Sequence, residues 1–371
     1  MKILFIVSTL ENTGPTNQLL NLLKELNNYD NVIIEIVTLS KEKNDSRYKE
    51  FAHLGIKITC LNVTKLNFFF NSRKKLKKLI SRYEPNIIHS SGFRADLLIS
   101  TFNNKPKVST VHNYPQLDYP TEYGKIKGYF LYKIHTHILK KFTLCIACSK
   151  SVHDNLIETF NLKNISYIEN GIDPIIFKPT NKKEYLRKKY NINMDKKIWI
   201  SVGNINNRKN TTFLINYWKK NVSEDILLII GDGPLYQECK NATNEYTNIL
   251  MLGKQKPSII IELLQISDYY ISASKAEGLP MAAIEALSCG LPVILSDIPP
   301  HQELLNKSKY NLIGDIFSLK ENINLMKSKE RLEEKREETE KNCREFILNN
   351  LTSQLMTEKY YNIYLKYAGN S

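Results

Sequence analysis

Strand-length apolar runs alternate with segments of helical periodicity along this chain, and midway the whole rhythm starts again. The runs "KILFIVS", "VIIEIVT", "IKITCL", "NIIHS", "KVSTVH", "FTLCIACS" and "NISYIEN" come first, with helical patterns such as "NQLLNLLKEL" and "RKKLKKLISRY" between most of them. Parallel strands cannot be joined by a tight turn and need a helical crossover, so this order implies an α/β fold with helices on both faces of a parallel sheet. After "NGIDPIIFKPTNKKE" the alternation resumes with "KIWISVG", "DILLIIG", "NILMLG", "YYISAS", "PVILS" and "YNLIG". Two doubly wound domains are therefore expected, at 1–178 and 179–351, which 371 residues readily accommodate. The tail from about Lys327 is charged and helical, and its last part, about 352–371, regains apolar spacing; it is expected to pack back on the first domain.

Fifty-two basic residues against thirty-eight acidic give a net charge of +14. Such an excess suits nucleic acid, an anionic membrane surface or phosphorylated small molecules. No RNA-recognition, zinc-finger or basic-zipper pattern occurs, so no nucleic acid partner is expected. Six cysteines are dispersed in apolar contexts and are expected to be reduced core residues. Cys145 and Cys148 form a CxxC inside "FTLCIACS", which reads as a buried strand, with no second CxxC for zinc and no helix start for a redox pair. The apolar run of "MKILFIVS" is too short for a signal peptide or a membrane span, and a cytoplasmic protein is expected.

Ligands of open parallel sheets bind outside the carboxyl ends of the strands, so two such sheets are expected to share a cleft. The loops at those ends carry the candidate residues. "STLENTGPTNQ" contains Gly14 before a helix, but it is not GxGxxG and no acidic residue completes a dinucleotide fingerprint. His112 ends "KVSTVH" and is expected to point into the cleft; the plainer alternative is a strand-end histidine bonded to backbone. His135 and His137 fall on different faces of a helix. "VGNINNRKN" places Gly203, Arg208 and Lys209 at the start of a helix, a natural cradle for a diphosphate. "GDGP" with Gly231, "LGKQ" with Gly253 and Lys254, and "SASKAEGLP" follow the next three strands. Four consecutive loops at one sheet edge, each with glycine and polar groups, read as a nucleotide site. "EGLPMAAIEALSCGLPVILSD" then reads as loop, helix, turn and strand. Pro280 suits a first helical position, Gly290 a left-handed stop, and Glu277 and Glu285 flank the helix start.

Taken together, "PNIIHSSGFRADLL", "TVHN", "IACSKSV", "YIENGIDPIIFKP", "VGNINNRKN", "GDGP", "LGKQ" and above all "EGLPMAAIEALSCGLPVILSDIPPHQELL" resemble the retaining glycosyltransferases of family 4, over nearly the whole chain. The resemblance implies the GT-B architecture, two Rossmann-like domains facing across a cleft. It implies that Glu277 approaches the donor sugar hydroxyls and Glu285 the nucleotide ribose, and that Lys209 and the backbone at Gly278, Leu279 and the neighbours of Pro280 hold the diphosphate. His112 would face the sugar from the first domain, with Gly14 under the phosphates. Asn204 stands where the family usually has an arginine, and Arg208 is the candidate to compensate. No Asp-x-Asp occurs, so a metal-free mechanism without cofactor is expected. Glu277, His112 and Lys209 are the catalytic candidates.

"KLNFFFNSRKKLKKLISRYEP" adds three phenylalanines before a helix whose outward positions are mostly Arg73, Lys74, Lys75, Lys77 and Lys78. That pattern fits an anionic membrane surface, or equally a solvated face with the phenylalanines in the core. The expected activity is transfer from a nucleotide sugar, taken as a UDP-sugar, to a saccharide or lipid-linked saccharide in capsule or lipopolysaccharide synthesis. Alternatives are a nucleotide-sugar epimerase of the same architecture and a non-catalytic nucleotide-sugar-binding partner of another transferase.

Overall fold

A computed structural model describes residues 1–43, 46–63, 68–221, 224–308, 312–320 and 325–369, without the side chains of 68–70. The chain forms two compact units, Met1–Gly171 with Ser353–Ser371, and Ile172–Thr352.

In the first unit, chain order runs β1 (Lys2–Val7), α1 (Gly14–Leu26), β2 (Ile33–Thr38), α2 (Tyr48–His53), β3 (Lys57–Cys60), α3 (Phe68–Tyr83), β4 (Ile87–Ser91), α4 (Phe93–Ile99), β5 (Lys107–Val111), α5 (Pro115–Tyr123), α6 (Lys125–Leu139), β6 (Leu144–Ala147), α7 (Lys150–Phe160) and β7 (Ile165–Tyr167). The strands form one sheet in the order β3-β2-β1-β4-β5-β6-β7. Every pairing is parallel. Val7 pairs with Ser91 and Ser91 with Thr110, so the central strands end level and the loops after them share one edge.

The second unit repeats the plan with α8 (Lys183–Lys189), β8 (Ile198–Val202), α9 (Thr211–Asn221), β9 (Ile226–Ile230), α10 (Tyr236–Thr243), β10 (Ile249–Gly253), α11 (Pro257–Ile266), β11 (Tyr269–Ser272), α12 (Met281–Ser288), β12 (Val293–Ser296), α13 (Pro299–Asn306), β13 (Gly314–Phe317), α14 (Leu325–Glu333) and α15 (Arg336–Asn350). Its sheet is parallel, in the order β10-β9-β8-β11-β12-β13. In both sheets the order reverses beside the first strand, the switch point at which doubly wound folds bind ligands.

α16 (Ser353–Ala368) returns to the first unit. Its Met356, Tyr360 and Tyr364 are buried in that unit's core. The buried imidazole of His89 on β4 bonds to the Tyr364 hydroxyl at 2.6 Å through Nδ1 and to Thr110 Oγ1 at 2.8 Å through Nε2. Tyr360 meets the same threonine at 3.0 Å. A helix that looked merely apolar is thus fixed by a polar lock that no periodicity announces.

Four expectations are corrected. The first boundary falls between Gly171 and Ile172 rather than at 178/179. The segment up to Phe177 is held by Arg344 of α15, whose guanidinium donates to the carbonyls of Phe177 and Pro174, both at 2.7 Å. Pro280 caps α12 from outside instead of opening it, because its ψ of 75° is not helical. The last strand is Gly314–Phe317 rather than "YNLIG", part of which lies outside the described residues. Cys60 is exposed, whereas the other five cysteines are buried.

Candidate active site

The loops after β8, β9 and β10 are joined backbone to backbone. Gly203 N–H donates to Ile230 O at 3.0 Å, Ile205 N–H to Asp232 O at 2.9 Å, and Gly231 N–H to Gly253 O at 2.9 Å. A Cβ on Gly231, whose φ is +140°, would lie 1.8 Å from Gly203 O. Only glycine permits that approach at position 231. The Lys209 side chain lies across Gly203, with Cε 3.3 Å from where a Cβ would stand.

Lys209 reaches Glu277, which follows β11: Nζ is 2.9 Å from Oε2. Glu277 is only 5% exposed. Ser272 donates to Oε1 at 3.4 Å. His301 of α13 is fully buried, with Nε2 also 3.4 Å from Oε1. Its Nδ1 lies 2.8 Å from Ser296 O. A carbonyl only accepts, so Nδ1 carries a proton. Nε2 has no hydrogen-bond partner and faces the carboxylate. Burial pushes the Glu277 carboxyl up, but Lys209, His301 and Ser274 outweigh it and hold the group well below the ordinary carboxylate range. Glu277 is an ionised buried acceptor.

Arg208 serves the same carboxylate indirectly. Its Nη1 donates to Ala276 O at 2.8 Å, and its own carbonyl accepts from Lys275 N–H at 2.8 Å. The guanidinium staples the loop one residue before Glu277. Asn204 is exposed, with its side-chain oxygen over Gly233. Gly278, Leu279 and Pro280 are buried in the turn leading to α12, which starts without a side-chain cap. Glu285 lies half-buried on that helix, while Lys254 is exposed after β10. Both glutamates act on one phenol: Tyr270 is pushed well up, first by burial, then by Glu277 and Glu285. The second unit therefore gathers Gly203, Asn204, Arg208, Lys209, Gly231, Gly253, Lys254, Glu277 to Pro280 and Glu285 along one sheet edge.

Gly14 and His112 belong to the first unit. Gly14 opens α1, with Thr13 as its cap, and a Cβ there would touch nothing. His112 follows β5, with Nε2 3.0 Å from Ser91 Oγ, and lines a pocket of about 340 Å³ at that sheet edge. Burial lowers its pKa to about 4, against a small opposing pull from Asp96, so the imidazole is neutral at pH 7. The pocket also contains Arg94, Tyr119 and His135. Sequence reasoning passed over the group behind it. Asp96 is fully buried and accepts from Ser90 at 2.6 Å and Ser109 at 2.9 Å, while His135 Nε2 lies 2.8 Å from its other oxygen. His135 Nδ1 meets the Tyr119 hydroxyl at 2.8 Å. His301 was overlooked as well, although a histidine inside "IPPHQELL" just past the glutamate stretch was a visible signal. Among the described residues no cluster of three or more His, Cys, Asp or Glu is placed to hold a metal ion.

Two consecutive Rossmann-like units of this kind define the GT-B architecture. Residues 13–175 match the family model described as Glycosyltransferase Family 4, and residues 182–346 match that of Glycosyl transferases group 1. The chain is 26% identical to the O-antigen biosynthesis glycosyltransferase WclY of Escherichia coli, over 98% of both chains. It is 27% identical to the UDP-Gal:alpha-D-GlcNAc-diphosphoundecaprenol alpha-1,3-galactosyltransferase of Escherichia coli, over 56% of this chain and 55% of the other. The crystal structure of Anabaena HepE in complex with UDP-glucose superposes with a TM-score of 0.81 at 16% identity, covering 98% of this chain and 99% of that one. The protein belongs to glycosyltransferase family 4.

Proposed function

We propose that this enzyme transfers a sugar, with retention, from a UDP-sugar to a hydroxyl of a lipid-linked saccharide in the synthesis of a surface polysaccharide of the O-antigen or capsule type. The observation that carries the reading is the buried Lys209–Glu277 pair at the carboxyl edge of the second sheet. In the bound state Lys209 turns to the donor diphosphate, and the start of α12 adds its N–H groups and partial positive charge. Glu277, ionised and fixed, accepts from sugar hydroxyls, and Glu285 from the ribose. The C1–O bond to phosphate breaks, the acceptor oxygen bonds to C1 on the same face, and its proton passes to the departing phosphate. Each cationic or N–H donor aimed at that phosphate is worth about 3 kcal/mol in the transition state. Lys209 supplies the cation, so the mechanism needs no metal or cofactor. Neutral His112 and the pocket around it bind the acceptor or the sugar.

The O-antigen role of WclY supports the polysaccharide assignment, and the galactosyltransferase's name supports a UDP-sugar and a lipid diphosphate acceptor. A thermal-shift panel of nucleotide sugars tests the donor: saturation at a hundred times the dissociation constant adds about 2.7 kcal/mol. No response to any UDP-sugar refutes the donor class. Incubation with donor alone separates the epimerase alternative, which makes a new nucleotide sugar without acceptor. Turnover lost in Glu277→Ala with nucleotide binding retained excludes the non-catalytic one.

A further inference from the structure

We propose that the outward face of α6 docks on an anionic lipid bilayer. The helix buries Gly128, His135, Thr136, Ile138 and Leu139 against its own unit. On the opposite side Ile126 is 79% exposed, Phe130 61%, Tyr129 49% and Ile134 47%. Ile126, Phe130 and Ile134 are spaced i, i+4, i+8 and so form one stripe, with Lys133 and His137 on it. Single exposed apolar residues need no explanation, but bulky ones grouped on one helix face do.

The charge of this face selects its occupant. Residues 125–139 contain no Asp or Glu, while Lys125, Lys127, Lys133, Lys140 and Lys141 are all exposed. Lys127 and Lys133 lie over aromatic rings, at 5.5 Å from Tyr123 and 5.7 Å from Tyr129. Lysines on apolar stems among exposed rings match the boundary between headgroups and acyl chains. A second copy meeting the same face through a twofold axis would set lysine against lysine. The face is also rigid: a Cβ on Gly128 would fall 2.5 Å from Pro120 backbone, so α5 and α6 are in backbone contact. Arg73, Lys74, Lys77 and Lys78 on α3 are exposed, but Ser72 and Leu76 turn inward, Lys75 donates to Leu61 O at 3.0 Å, and the three phenylalanine side chains lie outside the described residues. α3 therefore offers charge without a described apolar face.

Tyr123, Leu131 and His135 of the same hairpin line the first-unit pocket. On the acceptor reading above, docking keeps a lipid tail in the bilayer while its saccharide enters that pocket; the docking itself does not depend on that reading.

Flotation of the full chain with phosphatidylcholine vesicles, alone or mixed with phosphatidylglycerol, tests the proposal without substrate. The chain is expected to float with the mixed vesicles only. Lys133→Ala lowers partitioning about fivefold, the worth of one interfacial lysine. The triple variant Ile126→Ser, Phe130→Ser, Ile134→Ser stays at the bottom, with unchanged melting temperature and nucleotide-sugar thermal shift. Lys74→Glu with Lys78→Glu on α3 floats. The proposal is overturned by a wild-type chain that floats with neither vesicle, by a triple variant that floats like wild type, or by loss of flotation on α3 reversal alone. It is equally overturned if the triple variant abolishes concentration-dependent self-association and leaves vesicle binding intact. Loss of the nucleotide response with flotation preserved counts against the donor assignment only.

Discussion

Replacing Lys209 by methionine tests the central electrostatic claim, because it keeps the side chain's bulk and removes its charge. At 2.9 Å and an effective dielectric of about 20, the Lys209–Glu277 attraction is about 6 kcal/mol. Lys209 is partly open to solvent and His301 remains against the carboxylate, so the net loss is smaller. About 3 kcal/mol is expected, the low end of the cost of stranding one member of a buried pair. For a unit of this size that lowers the melting temperature by about 6–12 °C. The double variant Lys209→Met, Glu277→Gln leaves no stranded charge and should recover most of the loss. The pH dependence carries the sign. The Glu277 carboxyl is depressed in the folded state, so its stabilisation is complete above its unfolded value of about 4.5 and is lost as pH falls below it. Removing Lys209 raises the folded value, so the fall in melting temperature on acidification becomes shallower. Scanning calorimetry of the three proteins between pH 7 and pH 3 measures all of this. An unchanged melting temperature in Lys209→Met, or a double variant no better than the single, refutes the buried-pair argument.

Three further outcomes are expected. His301→Gln removes the ring that stands 3.4 Å from Glu277 Oε1 and is held by Ser296 O, so the nucleotide-sugar thermal shift should shrink, whereas a histidine that only fills space would leave that shift unchanged. Gly231→Ala forces a Cβ to within 1.8 Å of Gly203 O at a φ of +140°; it should cost at least about 3 kcal/mol and abolish the nucleotide-sugar thermal shift. Burial lowers His89 to about 3 and His112 to about 4. The unfolded chain protonates these histidines near pH 6.5 and the folded chain does not, so stability falls as pH drops from about 6.5 to 4, and His89→Asn should weaken that slope in chemical denaturation.

Much of the architecture was legible because it rests on local patterns. Strand-length apolar runs, helical spacing between them and glycine at each strand end are properties of short windows, and they led to two parallel sheets and to the loops holding Lys209 and Glu277. Boundaries were less legible: Arg344, far along the chain, claims the carbonyls of Pro174 and Phe177 and draws that segment into the second unit. The contacts inside the site were least legible. Arg208 looked like a phosphate ligand in its loop, but its guanidinium holds Ala276 O. His135 was placed only on a different helix face from His137, and its bonds to Asp96 and Tyr119 tie three elements together behind the pocket.

The sequence by itself determined the class of fold, the edge at which a ligand would sit and the residue types available there, since period, turn chemistry and glycine placement act over a few residues. The tertiary structure decided which of those residues act on one another. Lys209 and His301 lie far from Glu277 in the chain, and only the parallel stacking of β8, β11 and β12 brings the loops after them together around one carboxylate. Charge at such a point depends on distance and burial, and neither exists until the sheet has formed.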